Sequence, residues 1–154
     1  MSFLNLLWIY IINEKWKQYK LSKTNKEQRR EVMYKKLMTC LESVQKKIDF
    51  KPEVALILGS GLGDFADGIK IEQTIDYTDI EGFPVSTVKG HKGRFVFGYV
   101  EETPVVIMQG RVHYYEGYDM TDVVLPTRLM GMMGAKKILL TNAAGGCNPN
   151  YKPG

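Results

Sequence analysis

Apolar and polar positions follow several distinct rhythms along this chain. Met33, Leu37, Leu41, Val44 and Ile48 stand three or four apart, with Lys35, Lys36, Glu42, Lys46 and Lys47 between them. That spacing predicts a helix with one buried stripe, and Pro52 is expected to close it. Val54-Ala55-Leu56-Ile57-Leu58 shows no alternation, the pattern of a short strand covered on both faces in an α/β or mixed sheet. Lys136 to Thr141 predicts a second buried strand of the same kind. Arg94 to Val100 and Val105 to Met108 predict two more, joined by a hairpin turn at Glu101-Glu102-Thr103-Pro104. A helix is expected from Thr121-Asp122 through Met133, with Thr121 as its cap and Pro126 close to its first turn.

The first 32 residues stand apart. Phe3 to Ile12 is apolar, with no positive side chain before it and no small-residue cleavage site after it, which excludes a signal peptide. The run is too short to cross a bilayer, which takes about 20 residues. An interfacial anchor at 3–12, with Trp8 and Tyr10 at headgroup depth, is the membrane alternative. Residues 1–32 also hold seven basic and three acidic side chains, which is the whole of the net charge of +4. The rest of the chain is neutral, so the charge argues against a nucleic-acid partner. Arg29-Arg30-Glu31 is what a purine-rich ribosome-binding sequence gives when translated in frame before Met33. Residues 1–32 are therefore expected to be a leader outside the fold, disordered or not native, with the native start at Met33.

Cys40 and Cys147 are too few for a disulfide scaffold or a cysteine-rich zinc site, and they suit a reducing cytoplasm. Candidate chemistry sits in four segments. Gly59-Ser60-Gly61-Leu62-Gly63 follows a strand, where backbone N–H groups and the Ser60 hydroxyl can converge on an anion. It lacks the Gly-Lys-Ser/Thr of a P-loop, and Asp64 replaces the third glycine of a dinucleotide fingerprint. A plain tight turn accounts for it equally well. In Gly90-His91-Lys92-Gly93-Arg94, His91 faces a ligand or merely sits in a turn.

Gln109-Gly110-Arg111-Val112-His113-Tyr114-Tyr115-Glu116-Gly117-Tyr118 is richer. Arg111 and His113 lie two apart at a strand end, so both point one way, and Tyr115 joins them if the strand continues. A guanidinium suits bidentate capture of phosphate, and Glu116 can orient a histidine. An aromatic turn with a surface ion pair is the alternative. Asn142-Ala143-Ala144-Gly145-Gly146 lets a ligand approach the backbone. Together the segments describe an oxyanion site at the strand-terminal edge of an α/β sheet. No metal-ligand cluster, paired carboxylates or serine–histidine–acid spacing stands out.

The four segments, in this order, resemble the trimeric, low-molecular-mass purine nucleoside phosphorylases over about residues 33–154, the amino-terminal half of such an enzyme. The relatives that cleave methylthioadenosine are the alternative branch. The resemblance implies a central mixed β-sheet flanked by helices, here truncated after about half of the domain. It implies phosphorolysis of purine (deoxy)ribonucleosides to base and (deoxy)ribose 1-phosphate in purine salvage, in the cytoplasm, by a homotrimer when full length. Inorganic phosphate is then a co-substrate, and no cofactor is implied. Ser60, His91, Arg111, His113 and the Ala143 N–H would contact phosphate, Tyr115 and Asn142 the ribose or nucleoside, and His113 with Glu116 would be catalytic. The purine-contacting residues of the family have no counterpart in these 154 residues. The chain alone is therefore expected to be inactive, a remnant with the phosphate half of a site.

Overall fold

The computed structural model describes the backbone of residues 3–59, 61–85, 92–141 and 147–151, and the side chains of those from Thr24 onward. The elements are α1 (Phe3–Gln45), β1 (Val54–Ile57), β2 (Lys70–Asp76), β3 (Arg94–Val100), β4 (Thr103–Gln109), α2 (Met120–Met133) and β5 (Lys137–Leu140). Short 3-10 turns lie at Gly63–Asp67, Tyr77–Asp79 and Tyr114–Glu116. The chain divides into two compact units, Met1–Lys36 and Leu37–Gly154. The first is helical, with an exposed Glu31–Lys35 ion pair at 3.2 Å, a kind that adds little stability.

In the second unit the strands form one sheet in the order β2-β3-β4-β1-β5. β1 runs parallel to β4 and β5, while β2, β3 and β4 are antiparallel neighbours, so the sheet is mixed. Alternation along the strands separates two cores. Ala55, Ile57, Phe95, Phe97, Val106 and Met108 meet Leu37, Leu41 and Val44 of α1 and Leu125, Leu129 and Met130 of α2. Leu56, Val96, Val105 and Ile107 point to the other face, where they meet Leu58 and Ala66. α2 and the part of α1 from Leu37 onward cover the first face.

Several elements differ from the sequence reading. α1 begins at Phe3, well before Met33, and closes at Gln45 rather than at Pro52. The Lys47 and Ile48 N–H groups both donate to the Val44 carbonyl, at 2.9 and 2.8 Å, and this turn still carries Ile48 into the core. α2 starts at Met120 with Asp119, not Thr121, at its cap, and Pro126 lies inside the helix and buried. The hairpin link between β3 and β4 is two residues long, with Glu101 in the left-handed region at φ 54.

β2 escapes a hydrophobicity pattern because Ile71 and Ile75 are its only aliphatic residues, and only Ile75 is buried. Backbone fit places it instead. Gly98 faces Ile71, and a Cβ on Gly98 would stand 2.2 Å from the Lys70 carbonyl oxygen, so β2 can lie this close only to a glycine. β5 is the other correction. It is not buried: Ile138, Leu139 and Leu140 are 44%, 54% and 61% exposed. Their apolar character predicted cover on both faces, but among the described residues β5 pairs only with β1 and stands at the sheet edge. β1 is interior, between β4 and β5.

Candidate functional site

Parallel pairing of β1, β4 and β5 sets their carboxyl ends along one edge of the sheet, and antiparallel β3 begins at that same edge. Gly59, Gly110-Arg111, Thr141 and Lys92-Gly93-Arg94 therefore meet, although up to 82 positions separate those joined by hydrogen bonds. The Gly59 N–H donates to the Thr141 hydroxyl at 2.7 Å. Gly93 donates its N–H to the Gln109 carbonyl at 3.0 Å and accepts the Tyr77 N–H at 2.8 Å. This is the edge where ligands collect in open α/β sheets.

Arg111, His113, Tyr115 and Glu116 form one connected group. Arg111 donates from Nε to His113 Nε2 at 3.1 Å and from Nη1 to the Thr141 carbonyl at 3.4 Å. Nε2 acts as acceptor, so the imidazole hydrogen lies on Nδ1, directed at Glu116 Oε1 at 3.0 Å. The same Oε1 accepts the His113 backbone N–H at 2.7 Å. Glu116 is 3% exposed at its side chain, so its carboxylate is held by these donors inside the turn. The Tyr115 ring stacks on His113, with centroids 4.7 Å apart and planes 18° from parallel.

The expected strand continuation does not supply this grouping. β4 stops at Gln109, Gly110 takes φ 102, and Tyr114–Glu116 is a 3-10 turn closed by Gly117 at φ 89. Glu116 caps that turn by taking the His113 backbone N–H on its carboxylate, while the Glu116 N–H donates to the His113 carbonyl at 3.1 Å. Tyr115 reaches the histidine through the turn, and its outer surface is 75% exposed.

Beside this group lies a polar cluster that the sequence reading missed. Gln109 is 2% exposed, and its amide donates to the Gly63 carbonyl at 2.7 Å while accepting from Arg94 Nε at 2.8 Å. Asp67 accepts from Lys92 Nζ at 2.6 Å and from Arg94 Nη2 at 3.0 Å. The Lys92 hydrogen bond is the main cause holding the Asp67 carboxyl below its ordinary value of 3.8, helped by Gln109 and by the charges of Lys92 and Arg94. Two cations of the Gly90–Arg94 segment are thus engaged by Asp67. Tyr77, fully buried, donates its hydroxyl to the Gly110 carbonyl at 2.5 Å and so holds the turn that presents Arg111. Burial pushes its phenol well above the ordinary 10.0.

Of the residues singled out from sequence, Arg111, His113, Tyr115 and Glu116 come together. Ser60, His91, Asn142 and Ala143 lie outside the described residues. The contacts of Asp67, Gln109 and Thr141 were not foretold, because nothing in their spacing says which strand ends become neighbours. Among the described residues, no group of three or more histidine, cysteine or acidic side chains could hold a metal ion, and no helix is long and apolar enough to cross a membrane.

Glycine turns and an arginine–histidine pair thus gather at one edge of a mixed sheet. The sequence model of the phosphorylase superfamily matches residues 53–154, and the chain belongs to that superfamily. It is 50% identical over 111 residues to purine nucleoside phosphorylase 1 of Geobacillus stearothermophilus, covering 72% of this chain and 40% of the relative. Against the purine nucleoside phosphorylase of Mus musculus it is 43% identical over 124 residues, 80% of this chain and 43% of that one. The crystal structure of the Schistosoma mansoni purine nucleoside phosphorylase in complex with acetate matches with a TM-score of 0.71 at 44% identity, over 77% of this chain and 43% of that chain. Isoform 2 of the Schistosoma mansoni enzyme, in complex with cytosine and ribose-1-phosphate, also matches with a TM-score of 0.71, at 38% identity over 77% and 42%. The chain thus spans about two fifths of the length of the curated relatives it matches.

Proposed function

We propose that this chain carries the phosphate-binding part of a purine nucleoside phosphorylase, within residues 33–154, with residues 1–32 outside the catalytic fold. The observation that carries the reading is the Arg111–His113–Glu116 group at the sheet edge, joined to the Gly59–Thr141 contact through the Thr141 carbonyl. Phosphorolysis needs a phosphate dianion held and aimed at the anomeric carbon of a nucleoside, so that an oxocarbenium-like sugar forms between phosphate and the departing purine. Arg111 supplies a fixed positive charge with a planar donor edge. A dianion is a better acceptor for its Nε–H than the neutral His113 Nε2 it now meets. Glu116 holds the imidazole in position through Nδ1, and Tyr115 offers an exposed ring beside it for a ribose face. Ser60, His91 and the Ala143 N–H complete the phosphate contacts in this reading, and Asn142 lies with Tyr115 on the nucleoside side.

The substrates are then a purine (deoxy)ribonucleoside and inorganic phosphate, with no cofactor, in purine salvage in the cytoplasm. The full-length fold would act as a homotrimer. The chain spans about two fifths of the length of its relatives, and in this reading these 154 residues bind phosphate without turning over nucleoside. Titration calorimetry with inorganic phosphate, alongside an assay for phosphate-dependent release of hypoxanthine from inosine, tests this. Phosphate binding that is lost in Arg111→Ala supports the reading. Equal phosphate affinity in wild type and Arg111→Ala overturns it.

A further inference from the structure

Thr141 has no part in the chemistry described above, yet it touches three of the elements that build the site. Its backbone N–H donates to the Ile57 carbonyl at 3.1 Å, a ladder bond that any residue but proline would make. Its side chain adds what another residue would not. The hydroxyl donates to the Ile57 carbonyl at 3.2 Å, and its oxygen accepts the Gly59 N–H at 2.7 Å. Its own carbonyl accepts Arg111 Nη1 at 3.4 Å. β1 ends at Ile57, so the buried Gly59 N–H has passed the last ladder position and takes a side-chain acceptor instead. Threonine suits the place because its β-branch restricts χ1 and holds the oxygen in one direction.

We propose that Thr141 is a positioning residue of the phosphate site. Its hydroxyl fixes Gly59, the residue that precedes Ser60, against the end of β5, while its carbonyl steadies the Arg111 guanidinium. The start of the glycine turn and the arginine are thereby tied to the end of β5. This role rests on the phosphate reading of the site. The chemistry to be disturbed is a single neutral hydroxyl, so substitution leaves the charge of the site unchanged.

The full chain and its Thr141→Val and Thr141→Ser variants are titrated with inorganic phosphate, and the Gly59 amide exchange rate is read by NMR. Valine keeps the shape and removes the acceptor, so Thr141→Val is expected to bind phosphate about tenfold more weakly and to exchange the Gly59 amide faster. Thr141→Ser restores the acceptor and is expected to stay within about threefold of wild type. Should the valine variant fail to fold, Thr141→Cys, whose sulfur accepts only weakly, is expected to fall between the two. Wild-type phosphate affinity in Thr141→Val, even with a lowered Tm, overturns the proposal, and so does a serine variant as weak as the valine one. A wild-type chain that binds no phosphate overturns the phosphate reading instead, and the Gly59 exchange rates then still decide whether the hydroxyl holds that amide.

Discussion

Arg111 and His113 face each other nitrogen to nitrogen, Nε to Nε2, at 3.1 Å. An N–H of the guanidinium can point at Nε2 only if that nitrogen carries a lone pair, so the imidazole is neutral with its hydrogen on Nδ1. Glu116 stabilises that tautomer by accepting at Nδ1 and at the His113 backbone N–H. Glu116→Ala is expected to lose about 1–3 kcal/mol of stability from the orphaned donors. It should also shift His113 toward the Nε2–H tautomer, read from imidazole nitrogen-15 shifts. An unchanged tautomer would contradict the role given to Glu116.

Asp67 ties Lys92 and Arg94 to the turn after the glycine segment. Its pKa is lowered from 3.8 in the folded chain, so the carboxylate contributes its full stability above that value. Below 3.8 the unfolded chain takes up the proton first, and the contribution is lost as pH falls through the folded-state value. Between about pH 5 and about pH 3 the Tm of the wild type is expected to drop more steeply than that of Asp67→Asn. Parallel curves would show that the three side chains do not act together.

Tyr77 behaves in the opposite sense. Burial raises its pKa well above 10.0, so the unfolded chain loses the phenolic proton first and stability declines as pH climbs past 10.0. Tyr77→Phe removes that part of the alkaline loss. At neutral pH it costs about 1–2 kcal/mol, because the Gly110 carbonyl loses its donor. Denaturant unfolding at neutral and alkaline pH measures both effects.

Gly98→Ala forces a methyl to within 2.2 Å of the Lys70 carbonyl oxygen, a distance at which the backbone of β2 or β3 must move. β2 is expected to detach or shift, with faster amide exchange over 70–76 than over 54–57. Equal protection of the two strands would show that β2 tolerates the methyl.

Much of the fold was legible where burial and periodicity coincide. The stripe Leu37, Leu41, Val44, Ile48 lies in the core, and β3 runs from Arg94 to Val100 as its pattern predicts. β2 was not legible, because an edge strand with one buried residue has no hydrophobic signature. β5 misled for the opposite reason, since its apolar residues predict cover that the described residues do not provide.

From the sequence alone came the residue types on which the proposed anion site rests, glycine turns with an arginine and a histidine, and their place at strand ends. Those properties are local, set by side-chain chemistry and by the conformational freedom of glycine. Tertiary structure alone decided which strand ends stand together, that Asp67 engages the cations flanking the glycine turn, and that a threonine hydroxyl ties Gly59 to β5. Strand order and register bring those partners within hydrogen-bond reach, and neither is written in the spacing of residues along the chain.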